Sequence, residues 1–328
     1  MFKVLKTGLI TALLLALVGC SDSNDETADG EPETKNVRLN IALGKVEGVN
    51  YAAGTAVCVA LKKSGSELPC KLMASEGSKQ NVLAISSGQV DLALVRGDYA
   101  FQAWHGKKPF AKRHTNLRVL LSMHHEVATL LVNSNSKILS FSQLADKTIN
   151  IGSKTSNNGR MVKKLLSNCN IPVGDKFSYE ESSKLPELLV KDAVDGGFEW
   201  LTHPDEKTKI LTGDKPLQFL PITGYCVDQL ISEALYLDRV TIPGGIYKGL
   251  TSDSPSIGSK VWLVANSDLS EAVIYDVVKA IFSEVEQFRR SDPAFYHLSP
   301  RKMLSSFSVP FHIGAVQYFI KEGWYREN

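Results

Sequence analysis

The sequence predicts an α/β protein of two lobes, each a mainly parallel sheet flanked by helices. Three observations predict it. Short apolar runs and helical patterns alternate along the chain, as they do when parallel strands are joined by helices. The run "VDLALV" is continuously apolar, which suits a strand covered on both faces. Two extended stretches, 130–135 and 260–266, read as crossings between the lobes.

The elements follow in order. Val37 to Leu43 alternates and is rich in aliphatics, so it reads as a strand. A loop with Gly44 and Gly48 leads to a helix from about Tyr51 to Lys63, with Ala52, Ala56, Val59 and Ala60 on one face. "PCKLMAS" is a second strand, and a helix then runs from Gly77-Ser78 through Ser87. Ser78 suits its N-cap, because a hydroxyl can accept an otherwise orphaned backbone N–H. After "VDLALV" come two further strands, "LRVLLSMH" and "VATLLVN". "SFSQLADK" is a helical turn into the strand "TINIG", whose polar loop feeds the helix "GRMVKKLLSNC". "LPELLVKDAVDGGFEW" is another helix–strand unit, and a long helix spans Leu269 to Arg290 with Val273, Val277, Ile281 and Val285 at helical spacing.

The N-terminus reads as an export signal. Lys3 and Lys6 precede the apolar stretch Leu9–Val18, which falls short of the roughly 20 residues a spanning helix needs. "LVGC" then matches a bacterial lipobox, making Cys20 the acylated residue after a 1–20 leader. Ser21 is not the Asp that holds many lipoproteins at the inner membrane, so either membrane is compatible. Residues 21–36, acidic and free of large apolar side chains, read as a flexible tether. With 37 Lys and Arg against 35 Asp and Glu, the chain is nearly charge-balanced, which argues against nucleic acid as a partner. Setting Cys20 aside, four cysteines remain, an even number that suggests disulfides in an exported protein. Of three connectivities, proximity in sequence favours Cys58–Cys70, which leaves Cys169–Cys226.

Ligands of open α/β sheets bind beyond the carboxyl ends of the strands, where helix N-termini also point. Three strand-to-helix loops have the composition for this: "GKVEGVNY", "SEGSKQN" and "GSKTSNN". Arg96 and Asp98 follow a fourth strand directly. Rival signals fail on spacing. Gly152-Ser153-Lys154-Thr155 lacks the spacing of a phosphate loop, and His124-His125-Glu126 lacks His-Glu-x-x-His spacing. No Gly-x-Ser-x-Gly elbow or other catalytic constellation is apparent, and no cofactor or metal is expected.

"IALGKVEGVNYAAGTAVC" and "EGSKQNVLAISSGQVDLALVRGDYAFQAWHG" resemble two segments of the TAXI solute receptors of tripartite ATP-independent periplasmic (TRAP) transporters. "FSQLADKTINIGSKTSNNGR", "VDQLISEALYLDRVTIPGGIYKG" and "VPFHIGAVQYFIKEGW" are similar to three later ones, in order from Val37 to Trp324. Cys58 and Cys70 match a cysteine pair found in many members. The resemblance implies a type II periplasmic-binding fold with a ligand cleft between lobes, here 37–131 plus about 259–328 and 132–258. It implies a receptor that closes on a small solute and delivers it to the membrane permease subunits of a TRAP transporter; with the lipobox and the missing catalytic set, the expectation is a monomeric, lipid-anchored periplasmic protein that is not an enzyme.

Carried over by motif position, the ligand-binding residues are Lys45, Tyr51, Ser78, Asn81, Arg96, Asp98, Lys154, Thr155, Ser156, Phe198 and Tyr247. The family's Ser-Thr-Gly, Gln-Ser-Asp and Pro-Gly-Ser-Gly stand here as Lys45-Val46-Glu47, Arg96-Gly97-Asp98 and Lys154-Thr155-Ser156-Asn157. Each departure adds a base, which points to an anionic solute: a di- or tricarboxylate, or an acidic amino acid such as glutamate. Those bases could equally pair with Glu47, Asp98 or Glu199 and hold the loops. A ligand-sensing lipoprotein partnered with a signalling protein would share the same fold.

Overall fold

Residues 38–305 and 307–325 are described by the computed structural model; the leader, Cys20 and the acidic tether lie outside them. The first half of the chain opens with β1 (Leu39–Ala42), α1 (Val49–Lys63), β2 (Cys70–Met73), α2 (Ser78–Ser86), β3 (Leu92–Arg96) and α3 (Gly97–His105). β1 pairs in parallel with both β2 and β3. All five residues of β3 are buried, as its unbroken apolar run requires. Its alternate side chains enter different cores: Leu92 and Leu94 face the one containing α1, and Ala93 and Val95 face the one containing α2 and α3.

The predicted strands "LRVLLSMH" and "VATLLVN" are one 17-residue strand, β4 (Leu117–Asn133). Beyond it lie β5 (Ile149–Asn150), α4 (Asn157–Asn168), α5 (Leu185–Val190), β6 (Gly196–Leu201), α6 (Glu206–Asp214), β7 (Leu217–Phe219), α7 (Tyr225–Glu233) and β8 (Leu237–Ile242). A second long strand, β9 (Ser254–Asn266), returns antiparallel along β4, and α8 (Glu271–Ser283), α9 (Val285–Ser291), α10 (Pro300–Met303) and α11 (Ile313–Lys321) complete the chain. The predicted long helix 269–290 is thus two, broken at Glu284, whose backbone leaves helical geometry.

The sheet runs β2-β1-β3-β9-β4-β6-β5, with β7 on β4 and β8 on β9. Strands joined by helices pair in parallel (β1–β2, β1–β3, β5–β6), and every antiparallel pair involves β4 or β9. These two strands serve both ends of the molecule. Residues 117–122 of β4 and 262–266 of β9 pair beside β3, while 127–132 of β4 pair with β6 and 254–259 of β9 pair with β8. The β4–β9 register shifts between Val119 and Leu121 and again between Ser122 and His125, with one extra residue of β4 at each. Residues 130–132, read from sequence as part of a crossing, pair with β6 and β7.

Two local readings are corrected. Gly77, not Ser78, is the N-cap of α2, with a φ of 105° that favours glycine. Ser78 is the first helical residue, and its Oγ accepts the backbone N–H of Arg96 at 3.0 Å. In α1 the buried stripe is Ala53, Ala56, Val57, Ala60 and Leu61, rotated from the predicted face.

Both disulfides form. Cys58–Cys70 ties α1 to β2, and Cys169–Cys226 ties the end of α4 to α7. Their loops of 12 and 57 residues contribute about 3 and 4 kcal/mol in a chain-entropy account. Among the described residues no helix is long and apolar enough to cross a membrane.

Candidate functional site

The fully buried strand β3 ends on Arg96, and α3 begins on the next residue with no loop between. Such a tight junction needs a small residue. A Cβ on Gly97 would meet Tyr236 Cβ at 2.8 Å and Trp262 Cζ2 at 2.9 Å, so glycine lets the first turn of α3 lie on Trp262. Arg96 and Asp98 therefore project from one corner of the sheet.

They bind each other. Arg96 Nε and Nη2 donate to the two oxygens of Asp98 at 2.7 and 2.8 Å, a bidentate fork. Arg96 Nη1 donates to Glu126 Oε2 at 2.8 Å, from the part of β4 beyond the register shift. Trp200 of β6 and Tyr99 of α3 lie against the guanidinium, 5.0 and 5.4 Å from ring centroid to Cζ. Arg96 is 3 % exposed and Asp98 fully buried. Burial opposes the Arg96 charge, but the Asp98 and Glu126 carboxylates outweigh it and hold its pKa above the ordinary value. Burial, then Asp98, pushes the neighbouring Tyr236 hydroxyl up to about 12.

The network continues into the second half of the chain. Asn157, at the start of α4, donates through Nδ2 to Asp98. Its Oδ1 accepts Arg160 Nη2 at 2.9 Å, and Arg160 Nη1 donates to the Thr155 carbonyl at 2.6 Å. The loop 152–156 is held against this turn by Ser156, whose Oγ accepts the Gly159 N–H and donates to the Ser153 carbonyl. A Cβ on Gly159 would lie 2.3 Å from that carbonyl oxygen, so only glycine permits the approach. An unbroken chain of polar contacts thus runs from Glu126 through Arg96, Asp98, Asn157 and Arg160 to Thr155.

Of the residues singled out from sequence, Ser78, Arg96, Asp98, Thr155 and Ser156 converge on this network or its supporting loop. Asn81 lies behind it, fully buried, with Nδ2 donating at 2.8 Å to both the Leu43 and Leu94 carbonyls, which pins the ends of β1 and β3 together. Lys45 is exposed in the β1–α1 loop, and Tyr51 is half-buried on the first turn of α1. Lys154 is exposed, with Nζ 4.4 Å from the Tyr179 ring centroid. Phe198 and Tyr247 are core side chains: Phe198 packs edge-on to Phe141, and Tyr247 stacks on Phe219.

The Tyr247 hydroxyl accepts the Asp205 N–H at 2.7 Å and meets His203 Nδ1 at 2.6 Å, while His203 Nε2 meets Thr129 Oγ1 at 2.8 Å. Burial pushes His203 down to about 4, so the ring is neutral, accepting the Tyr247 O–H at Nδ1 and donating from Nε2. Across the same strand pair, burial and then Asp205 push Glu199 up to about 7. His124 packs against Phe295, and burial pushes it down to about 3. His125, on the other face, binds Asp238 at 2.8 Å, and that carboxylate also takes Lys260 at 3.0 Å. The histidine–histidine–glutamate run is therefore split among three environments.

Glu126, Asn157 and Arg160 are not among the residues that the sequence singles out. Asn157 and Arg160 sit inside the loop-to-helix segment "GSKTSNNGR", but nothing in its spacing says which side chains turn back toward Asp98.

Two lobes' worth of helix-linked parallel strands, joined by two long antiparallel strands, make this a periplasmic-binding-protein fold. PhnD1 from Prochlorococcus marinus, solved in complex with methylphosphonate, is similar over 88 % of this chain and 100 % of that one, with a TM-score of 0.54 and 13 % identity. Weaker similarity, with TM-scores of 0.47, extends to two others. The ligand-binding component of an ABC-type import system from Staphylococcus aureus, with zinc bound, matches over 89 % and 94 % of the two chains at 12 % identity. The Candida albicans CA3427 gene product, which has the generic periplasmic binding protein fold, matches over 86 % and 80 % at 16 % identity. The chain belongs to the NMT1-like family, whose model matches residues 41–323.

Proposed function

We propose that the protein is an extracytoplasmic solute receptor that closes on a small anionic metabolite and delivers it to a TRAP-type permease driven by an ion gradient. The observation that carries this reading is the chain of polar contacts joining α3 to α4 at the mouths of the strands. Side chains from both halves meet there, and a solute touching both has a higher affinity for the closed form, which alone can shift an opening equilibrium. The lobes in this reading are 38 to about 122 plus about 261–325, and about 125–260, with the β4 register shift as the hinge. The lipobox at Cys20 supports a periplasmic, lipid-anchored location. Binding without turnover suits a network of paired charges with no nucleophile–base pair in it.

The permease type is tested in membrane vesicles carrying a TRAP-type permease. Uptake of labelled succinate, citrate or L-glutamate is expected to require this protein and to collapse when ionophores dissipate the ion gradient. Uptake that follows ATP instead would assign the receptor to a different transporter.

A further inference from the structure

Two guanidinium groups occupy the network, and they are used differently. Arg96 has its fork on Asp98, its remaining edge on Glu126 and its faces against Trp200 and Tyr99. Together with two carboxylates it carries a surplus of one negative charge, so another anion placed against it would be repelled. Arg160 is the reverse case. Its two acceptors, the Thr155 carbonyl and Asn157 Oδ1, are neutral, and among the described residues no carboxylate pairs with it. A guanidinium has five N–H donors, so two contacts leave three. One of the three is Nε, buried and without a partner among the described residues. Arg160 also stands on the first turn of a 12-residue helix, where the backbone dipole favours negative charge.

Resting on the receptor reading above, the geometry points to Arg160 as the residue that receives the carboxylate of the solute, with Arg96 positioning Asp98 and joining the two halves. A carboxylate would take the N–H groups that Nη1 and Nη2 keep after Thr155 and Asn157, two donors in one plane that Lys does not offer. Asn157 then has a definite task. By accepting from Arg160 and donating to Asp98, it holds the Arg160 guanidinium in the network without letting Asp98 neutralise it.

Equilibrium dialysis against an equal mixture of succinate, citrate and L-glutamate, followed by mass spectrometry, tests the assignment. Wild type is expected to retain at least one acid, R160Q to bind it at least about tenfold more weakly, and R160K, which keeps the charge but loses the fork, to fall between. R160Q or R160K binding at wild-type affinity overturns the assignment and leaves the receptor reading intact. If R160Q does not fold, R160K alone decides. Wild type that retains none of the three acids overturns the receptor reading for these anions, and this assignment with it.

Discussion

Arg96 and Asp98 show why a local pattern announces charge without saying what the charge does. An arginine and an aspartate beside a glycine at the end of an apolar run are visible in sequence, and so is the option that they pair. Their third member, Glu126, stands thirty residues on, and Asn157 comes from a different half of the molecule. Only the strand register brings them together. The pair's energetics follow from burial: removing one member of a buried pair strands the other's charge. Arg96→Met is expected to lower stability by about 3–5 kcal/mol, read from urea unfolding. An unchanged unfolding midpoint would mean that the buried pair contributes nothing to stability. Arg160 is equally hard to read from sequence, because its distinguishing feature is a missing partner rather than a motif.

Among elements, those with strong periodicity were legible and the short or irregular ones were not. β3 and α4 fall close to where apolar runs and helical spacing put them. β7 has three residues, and β8 buries only its two end residues, so neither stands out as an apolar run. The fusion of two predicted strands into β4 turns on a register shift that depends on β9, far away in sequence. β6 carries the element's pH-sensitive group. Glu199 ionises near the ordinary 4.5 in an unfolded chain but only near 7 when folded. Its folded-state preference for the proton therefore supports stability below about 4.5, and that support is lost as pH rises through 7. Glu199→Gln should accordingly raise the thermal midpoint at pH 8 and leave it little changed at pH 5. A larger gain at pH 5 than at pH 8 would reverse the sign and refute the argument.

For the whole molecule, alternation of strands and helices was enough to predict the α/β class, and the resemblance added the periplasmic-binding fold. The continuity of β4 was not available, since a long strand looks in sequence like two strands with a polar gap. Its physical consequence is a division of labour: long strands carry the chain between halves, and helix starts carry the polar groups that face each other across the junction. Native mass spectrometry of the gently purified protein tests the central claim most directly. A single small acid bound per chain, released on unfolding, is the predicted result; a chain carrying a neutral or cationic solute, or one that binds none when offered succinate, citrate and L-glutamate, would contradict it.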